Sequence, residues 1–317
     1  MIGTKRALHA PPRQSQVSME IVYHIGSQCT DEDRLIRSLL RNRGPLAREG
    51  IEVPAPGRYR PVLRDALIAL RGAPASTETQ EAIIDAMLDD RSGRRVVLSH
   101  EYFLGIPSRV VSPRGFHAAT GRRIAAIANL FPDWPCEFHL ALRNPATLLP
   151  ALIGRINGAT YASVMGDRDP MSLRWAPVFE DILATLPDAK LVVWCNEDSP
   201  LIWGQVMRRI AGAPDGLRLE GEDDLLAAVV SPEGLARMNG YLAANPGSTP
   251  AQRERVAAAF LDKFGLPEEM EVDLAFPGWT EGLVAEMTEA YEADVAAITG
   301  MPGVEIIPPR AAPRAAP

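Results

Sequence analysis

The chain has 317 residues, a formal net charge of −7 and 46% hydrophobic residues. This length suits one large α/β domain, and the acidic balance provides no overall basic surface for nucleic acid. No apolar run is long enough to span a bilayer, and residues 1–18 are polar, which predicts a disordered leader rather than a signal peptide. The three cysteines, Cys29, Cys136 and Cys195, form no CxxC pair. These features predict a soluble cytoplasmic protein without a zinc site.

The first predicted strand comprises residues 20–25, which are rich in β-branched and aromatic side chains. Gly26 ends this strand, and Thr30 with the acids after it has the composition of a helix start. Apolar residues then recur at helical spacing through Leu40. A strand, a tight loop and a helix in this order form the arrangement in which P-loop proteins hold phosphate on backbone N–H groups.

Strands and helices alternate along the middle of the chain. Runs of apolar residues predict strands at 94–99, 136–142 and 190–195, and a short strand or extended loop at 51–54. Helical spacing of apolar residues predicts helices at 59–71, 77–90, 115–131, 146–157, 173–186 and 196–210, with a surface excursion at 158–174. This alternation predicts an α/β fold of three layers, in which helices cover both faces of a mostly parallel sheet.

The last third of the chain has a different character. Its apolar spacing predicts helices at 232–244, 249–264 and 280–299, and residues 304–307 could add one strand. We therefore expect a single α/β domain over 19–307 that is mainly helical over 212–300. The tail, 308–317, is rich in alanine, proline and arginine and is expected to be disordered.

Several residues that can carry chemistry follow the predicted strands. His100 and Glu101 come after the strand at 94–99, and Arg143 comes after the strand at 136–142. Open α/β sheets bind their ligands beyond the carboxyl ends of the strands. His100 or Glu101 could act there as a general base, or else Glu101 could make a local bridge while His100 lies at the sheet rim. His24, in an apolar strand, is expected to be buried and hydrogen-bonded.

Taken together, these positions resemble the P-loop sulfotransferase superfamily, in particular its bacterial carbohydrate-type members. The family opens with the pattern H-I-G-x-x-K-T-G-T-T, which residues 24–26 and Thr30 match. Residues 99–101 resemble a later Ser-x-Glu motif, and residues 143–145 resemble an Arg-x-Pro motif. The likeness extends over residues 20–307 and implies a P-loop fold.

The resemblance implies an activity and a set of site residues. Members of the family transfer a sulfuryl group from 3′-phosphoadenosine-5′-phosphosulfate (PAPS) to a hydroxylated acceptor such as a carbohydrate. Gly26 and Thr30 would belong to the cofactor loop, and Arg143 would grip the 3′-phosphate of PAPS. Glu101 or His100 would take the proton from the acceptor hydroxyl.

The loop departs from the family at four positions. Cys29 stands where the family has its phosphate-contacting lysine, and Asp31, Glu32 and Asp33 stand where it has Gly-Thr-Thr. Each contact between like charges costs on the order of a few kcal/mol, whereas micromolar binding supplies only about 8 kcal/mol in total. The acids would instead suit a helix N-terminus, and Thr30 with Asp33 resembles a capping pair.

Three interpretations of the loop acids therefore follow. The chain could be a PAPS-dependent sulfotransferase whose activity is impaired, or a non-catalytic binding or assembly module on the same fold. In a third interpretation, the loop acids join Glu197 and Asp198 to collect a hard cation such as Mg²⁺. We expect no metal site, because adjacent side chains on a helix diverge in direction.

Overall fold

The computed structural model describes residues 19–89, 92–270, 274 and 276–310. Six parallel strands form a central sheet in the order β2-β3-β1-β6-β7-β8, and β4 and β5 form a separate antiparallel hairpin. The strands are β1 (Glu20–His24), β2 (Ile51–Glu52), β3 (Arg95–Ser99), β4 (Val111–Ser112), β5 (Gly115–Phe116), β6 (Cys136–Leu142), β7 (Lys190–Cys195) and β8 (Val304–Ile306). The predicted α/β class with a parallel central sheet is confirmed.

Fourteen α-helices lie in the described part of the chain. The first eight are α1 (Arg34–Arg41), α2 (Arg43–Arg48), α3 (Pro56–Leu70), α4 (Thr77–Met87), α5 (Thr120–Ala128), α6 (Pro145–Arg155), α7 (Tyr161–Met165) and α8 (Ala176–Thr185). The others are α9 (Ser199–Ala211), α10 (Asp224–Val229), α11 (Pro232–Ala244), α12 (Pro250–Phe264), α13 (Pro267–Met270) and α14 (Glu281–Thr299). No helix in these ranges is both long and apolar enough to cross a membrane.

The central strands are buried on both faces, which accounts for their nearly continuous apolar sequence. Successive side chains of a strand point to opposite faces. Ile21 and Tyr23 of β1 therefore join a core with α3, α4, α5, α6 and α8, while Val22 joins a second core with α1 and α9. A third, smaller core holds α10, α11 and α12 together. The sheet with its two helical faces makes the three predicted layers.

Most predicted elements are present, with several corrections to their bounds. Strands 136–142 and 190–195 and helix 232–244 have the predicted bounds, and residues 304–306 do form a strand. The helix predicted from Gly115 begins only at Thr120, because Gly115 and Phe116 pair with Val111 and Ser112 in the hairpin. The predicted surface excursion contains α7. The predictions for residues 1–18 and 311–317 lie outside the described residues.

Candidate functional site

The residues singled out by sequence come together at one edge of the sheet. His24, at the end of β1, aligns with Ser99 at the end of β3 and with His139 in β6. β1 lies between β3 and β6, so the direction in which strands are added reverses at β1. Ligands in open α/β sheets bind beyond the strand ends at this kind of reversal. We call residues 25–33, which leave β1 here, the β1–α1 loop.

The β1–α1 loop is held close to the sheet by its own side chains. Ser27 Oγ donates to the carbonyl of Ala141 at 3.1 Å, and Gln28 Nε2 donates to the carbonyl of Gly105 at 2.6 Å. Gly26 has a φ of 101°, and a Cβ there would lie 3.2 Å from the carbonyl oxygen of Glu101. The loop therefore requires glycine at this turn, and the two side chains after it point into the protein rather than toward a ligand.

The three acids of the β1–α1 loop all have partners in the chain. Asp31 Oδ2 accepts the backbone N–H of Leu35 at 3.0 Å, which places this carboxylate at the start of α1. Asp33 accepts two hydrogen bonds from the Arg60 guanidinium, at 3.0 and 2.6 Å. Glu32 Oε1 lies 3.4 Å from Arg155 Nη1. One of the three acids thus occupies the helix N-terminus, and the other two lie against arginines.

The capping pair predicted from Thr30 and Asp33 is wrong. Asp33 does occupy the N-cap position of α1, but its side chain makes no capping hydrogen bond. Its carboxylate turns toward Arg60, and Thr30 Oγ1 donates instead to the carbonyl of Ser27 at 2.7 Å. The helix begins at Arg34, four residues after Thr30, so Thr30 is too far from the helix start to act as its N-cap.

Arg143 lies against the β1–α1 loop, at the end of β6. Its guanidinium donates to the backbone carbonyl of Cys29, and its Nε donates to Thr147 Oγ1 at 3.2 Å. Burial lowers the pKa of Arg143. Its hydrogen bonds therefore go to the chain itself.

The segment after β3 is ordered by hydrogen bonds and one ion pair. His24 Nδ1 lies 2.8 Å from Ser99 Oγ, so the predicted buried and hydrogen-bonded state of His24 is confirmed. Burial, with the charge of Arg60, lowers the pKa of His100 to about 4, which makes His100 neutral and weakly basic at pH 7. Glu101 accepts two hydrogen bonds from Arg155, at 3.0 and 2.9 Å, while burial raises the pKa of Glu101.

A second cluster lies beside Arg143, at the end of β7. Glu197 Oε1 accepts the backbone N–H of Asn144 at 2.8 Å, and Glu197 Oε2 accepts the Tyr291 hydroxyl at 3.0 Å. Burial raises the pKa of Glu197. This carboxylate joins the ends of β6 and β7 to α14, and it makes no group with the β1–α1 loop acids. In the described ranges, no group of three or more His, Cys, Asp or Glu could hold a metal ion.

Sequence reasoning missed two residues that decide the state of the site, Arg60 and Arg155. Arg60 lies in α3 and Arg155 ends α6, and each reaches a carboxylate that is at least 27 residues away along the chain. No local pattern identifies these pairs, because they depend on how α3 and α6 pack against the sheet.

The backbone of the β1–α1 loop retains one feature of an anion site. The N–H groups of Gln28, Cys29 and Thr30 donate no hydrogen bond to any described residue. Successive free N–H groups at such a turn form a concavity that suits an anion. The loop thus combines donors in its backbone with acids in its side chains.

Known proteins offer no independent guide to this site. No protein-family model, no curated protein and no solved structure matches the chain. The sulfotransferase likeness therefore rests on the residues described above.

Proposed function

We propose that this chain is a sulfotransferase-like protein in which the chain's own ion pairs occupy the cofactor loop, and that it acts as a non-catalytic binding module. One observation carries the proposal. The arginines that reach the β1–α1 loop and the turn after β3 already have acceptors there: Arg60 has Asp33, Arg155 has Glu101, and Arg143 has the carbonyl of Cys29.

Binding of PAPS would require several of these contacts to break at once. The phosphosulfate carries strong negative charge, and three loop carboxylates would lie beside it without the lysine that relatives use. Repulsion from each carboxylate costs on the order of a few kcal/mol near a protein surface. A micromolar ligand has only about 8 kcal/mol of binding free energy to offset this cost. The balance favours a loop that remains closed on its own side chains.

A second candidate function is PAPS-dependent sulfuryl transfer to a carbohydrate-like hydroxyl. The free N–H groups of Gln28, Cys29 and Thr30 favour it, because they lie next to Arg143 and could cradle the phosphosulfate. Glu101 would then take the proton of the acceptor hydroxyl as its oxygen attacks sulfur, and 3′,5′-adenosine bisphosphate would leave. Glu101 would first have to separate from Arg155, and His100 is too weak a base to replace it efficiently.

Calorimetric titration with 3′,5′-adenosine bisphosphate, with and without Mg²⁺, separates the two functions. We expect no binding that depends on Arg143, up to millimolar ligand, in either buffer. Micromolar binding that disappears in Arg143→Ala and persists in Arg48→Ala would overturn the proposal and establish the cofactor site. Arg48 is the matched control, since it is exposed and makes no ion pair with described residues. Arg143-dependent binding that requires Mg²⁺ would also overturn it, by showing that the acids act through a metal.

A further inference from the structure

A basic cavity of about 600 Å³ contains none of the residues that the sulfotransferase likeness singles out. Its walls come from the short 3-10 helix at Pro107–Arg109, the β4–β5 hairpin, the start of α5, and α7. Five arginines line it, and no aspartate or glutamate does: Arg109, Arg114, Arg122, Arg123 and Arg168. The chain as a whole is acidic, with a net charge of −7, whereas the charged residues of this cavity are all positive.

The five arginines have no internal counter-charge. None of their guanidinium groups makes a hydrogen bond or an ion pair with the described residues, whereas Arg60, Arg155 and Arg209 each contact a carboxylate. Burial lowers the pKa of Arg123, and the charges of Arg109 and Arg122 lower it further. Several cations held close together in this way repel one another, so an anion in the cavity would relieve a cost that the protein otherwise carries.

A buried histidine in the cavity wall also lacks a polar partner. His117 lines the cavity and is only 4% exposed, and its Nε2 has no hydrogen-bond partner. Burial lowers the pKa of His117 to about 3, so the ring is neutral and can donate one hydrogen bond from Nε2. Buried polar atoms without a partner are rare in folded proteins, and this one belongs to a residue of the cavity wall.

The N-terminus of α5 lies behind His117 and forms part of the cavity wall. α5 begins at Thr120, and Ala119 at its N-cap position makes no side-chain cap. The first N–H groups of α5 are already partnered, since Thr120 donates to the carbonyl of His117 at 3.0 Å and Gly121 donates to Asp181 Oδ2 at 3.0 Å. The positive charge of the cavity therefore comes from its arginines rather than from this helix end.

We propose that this cavity binds a small molecule that carries two or more phosphate or sulfate groups. Arginine is the side chain best suited to such groups, because its planar fork donates two parallel hydrogen bonds to their oxygens. Five arginines provide more donors than one tetrahedral anion can accept. The volume also lies in the range of small-molecule pockets, roughly 300–1,000 Å³, rather than that of a single ion.

The proposed site adjoins the β1–α1 loop but does not depend on the state of that loop. A Cβ at Gly105 would lie 3.2 Å from Arg123 Cζ, and the carbonyl of Gly105 accepts the hydrogen bond from Gln28. The two regions thus lie on either side of the same turn and share no charged residue. The inference holds whether or not the loop binds PAPS.

Titration with inorganic pyrophosphate and with a sulfated disaccharide, at low and physiological salt, tests the proposal. We expect at least one probe to bind with an affinity that falls as salt rises, because the contacts are between charges. The double variant Arg122→Gln/Arg123→Gln should weaken binding roughly tenfold or more, since even one lost charged hydrogen bond is worth about that factor. Tighter binding of pyrophosphate would identify phosphate as the preferred group, and tighter binding of the disaccharide would identify sulfate.

Three variants make the result specific. Arg48→Gln removes an exposed arginine elsewhere and should bind as the parent does, whereas a loss of binding in Arg143→Ala with none in the double variant would place the probe at the β1–α1 loop and overturn the proposal. If the double variant fails to fold in a thermal melt, Arg114→Gln/Arg168→Gln changes the same cavity from two other elements. Absence of binding by both probes at millimolar concentration and low salt would overturn the proposal. Equal weakening by Arg48→Gln would overturn it as well.

Discussion

Arg60 and Asp33 form a two-bonded ion pair that joins α3 to the β1–α1 loop. The guanidinium donates to the two carboxylate oxygens at 3.0 and 2.6 Å, and it also donates to the carbonyl of Ser99 at 2.9 Å. One arginine therefore fixes the loop after β1 against the end of β3. Asp33 has a φ of 65°, a conformation that aspartate and asparagine adopt more readily than most residues.

Asp33→Asn should remove the charge of this pair and keep the backbone preference. The hydrogen bond from Arg60 lowers the pKa of Asp33 in the folded state, so the pair adds stability above the unfolded value of 3.8. This contribution is lost as pH falls through the folded pKa. Since the side chain of Asp33 is about one-third exposed, we expect a loss of about 1 kcal/mol at pH 7.

Urea unfolding at pH 7 and pH 3 measures this difference. The gap between the parent and Asp33→Asn should be smaller at pH 3. Asp65→Asn is a suitable control, because Asp65 pairs with Arg64 at the surface and its side chain is two-thirds exposed. An Asp33→Asn effect that stayed equal at both pH values would mean that shape, rather than charge, holds the loop.

The sequence is a good guide to the elements because their signals are local. The apolar runs of β6 and β7 and the helical spacing of α11 are contained within each segment. The β4–β5 hairpin was missed because Gly115 and Phe116 continue smoothly into the apolar spacing of α5. Gly115 and Phe116 pair with Val111 and Ser112 across a tight turn. Strands of two residues are too short to leave an alternating pattern in the sequence.

The candidate site is less predictable than the fold. The predicted ends of two strands placed Arg143 and residues 99–101 at the same edge of the sheet, because parallel strands end at one edge. The partners of the loop acids come from α3 and α6, and their identity depends on three-dimensional packing. The basic cavity was missed for the same reason, since its arginines belong to four separate segments.

Glu137→Gln should destabilise the opposite end of the sheet. Glu137 accepts hydrogen bonds from Arg95 at 2.9 Å and from Arg209 at 2.8 and 2.7 Å, and it lies 2.6 Å from His139 Nε2. Burial alone would raise the pKa of Glu137, but the hydrogen bonds from His139 and Arg209 outweigh it and hold the pKa far below its ordinary value. Removal of the buried charge leaves Arg95 and Arg209 with only Glu20 and Glu305 as carboxylate partners, at a cost of about 3 kcal/mol.

Chemical denaturation at pH 7 checks this value, with Glu305→Gln as the matched control. Glu305 also pairs with Arg209, but its side chain is 52% exposed, so its loss should cost less than about 1 kcal/mol. Because the pKa of Glu137 is lowered in the folded state, its contribution to folding stability is complete above the unfolded pKa. That contribution is lost only as the pH falls through the folded pKa. Equal effects of the two variants would show that burial of this network does not set its strength.

The three cysteines should be unreactive in the folded protein. Burial raises the pKa of Cys29 to about 11, that of Cys136 to about 12 and that of Cys195 to about 11. Thiolate, the reactive form, is therefore scarce at pH 8. A colorimetric thiol assay should show almost no rapid reaction in buffer and three equivalents in denaturant, since the chain has three cysteines. Rapid reaction of one equivalent, abolished in Cys29→Ser, would show that the β1–α1 loop opens readily.

Gly26→Ala tests whether the β1–α1 loop depends on close contact with the turn after β3. The φ of 101° disfavours any side chain, and the new Cβ would lie 3.2 Å from the carbonyl oxygen of Glu101, which is backbone and cannot rotate away. We expect a loss of about 2 kcal/mol from conformational strain and displacement of the turn. Gly44→Ala is the control: it lies in α2 with nothing within 4 Å of the new Cβ, and alanine favours a helix over glycine by up to about 1 kcal/mol.

Because the Glu101 carboxylate would move with its backbone, Gly26→Ala should also weaken the pairing of Glu101 with Arg155. If thermal unfolding showed Gly26→Ala to be as stable as Gly44→Ala, the loop would have another conformation of similar energy, and closure by its own ion pairs could not explain its function.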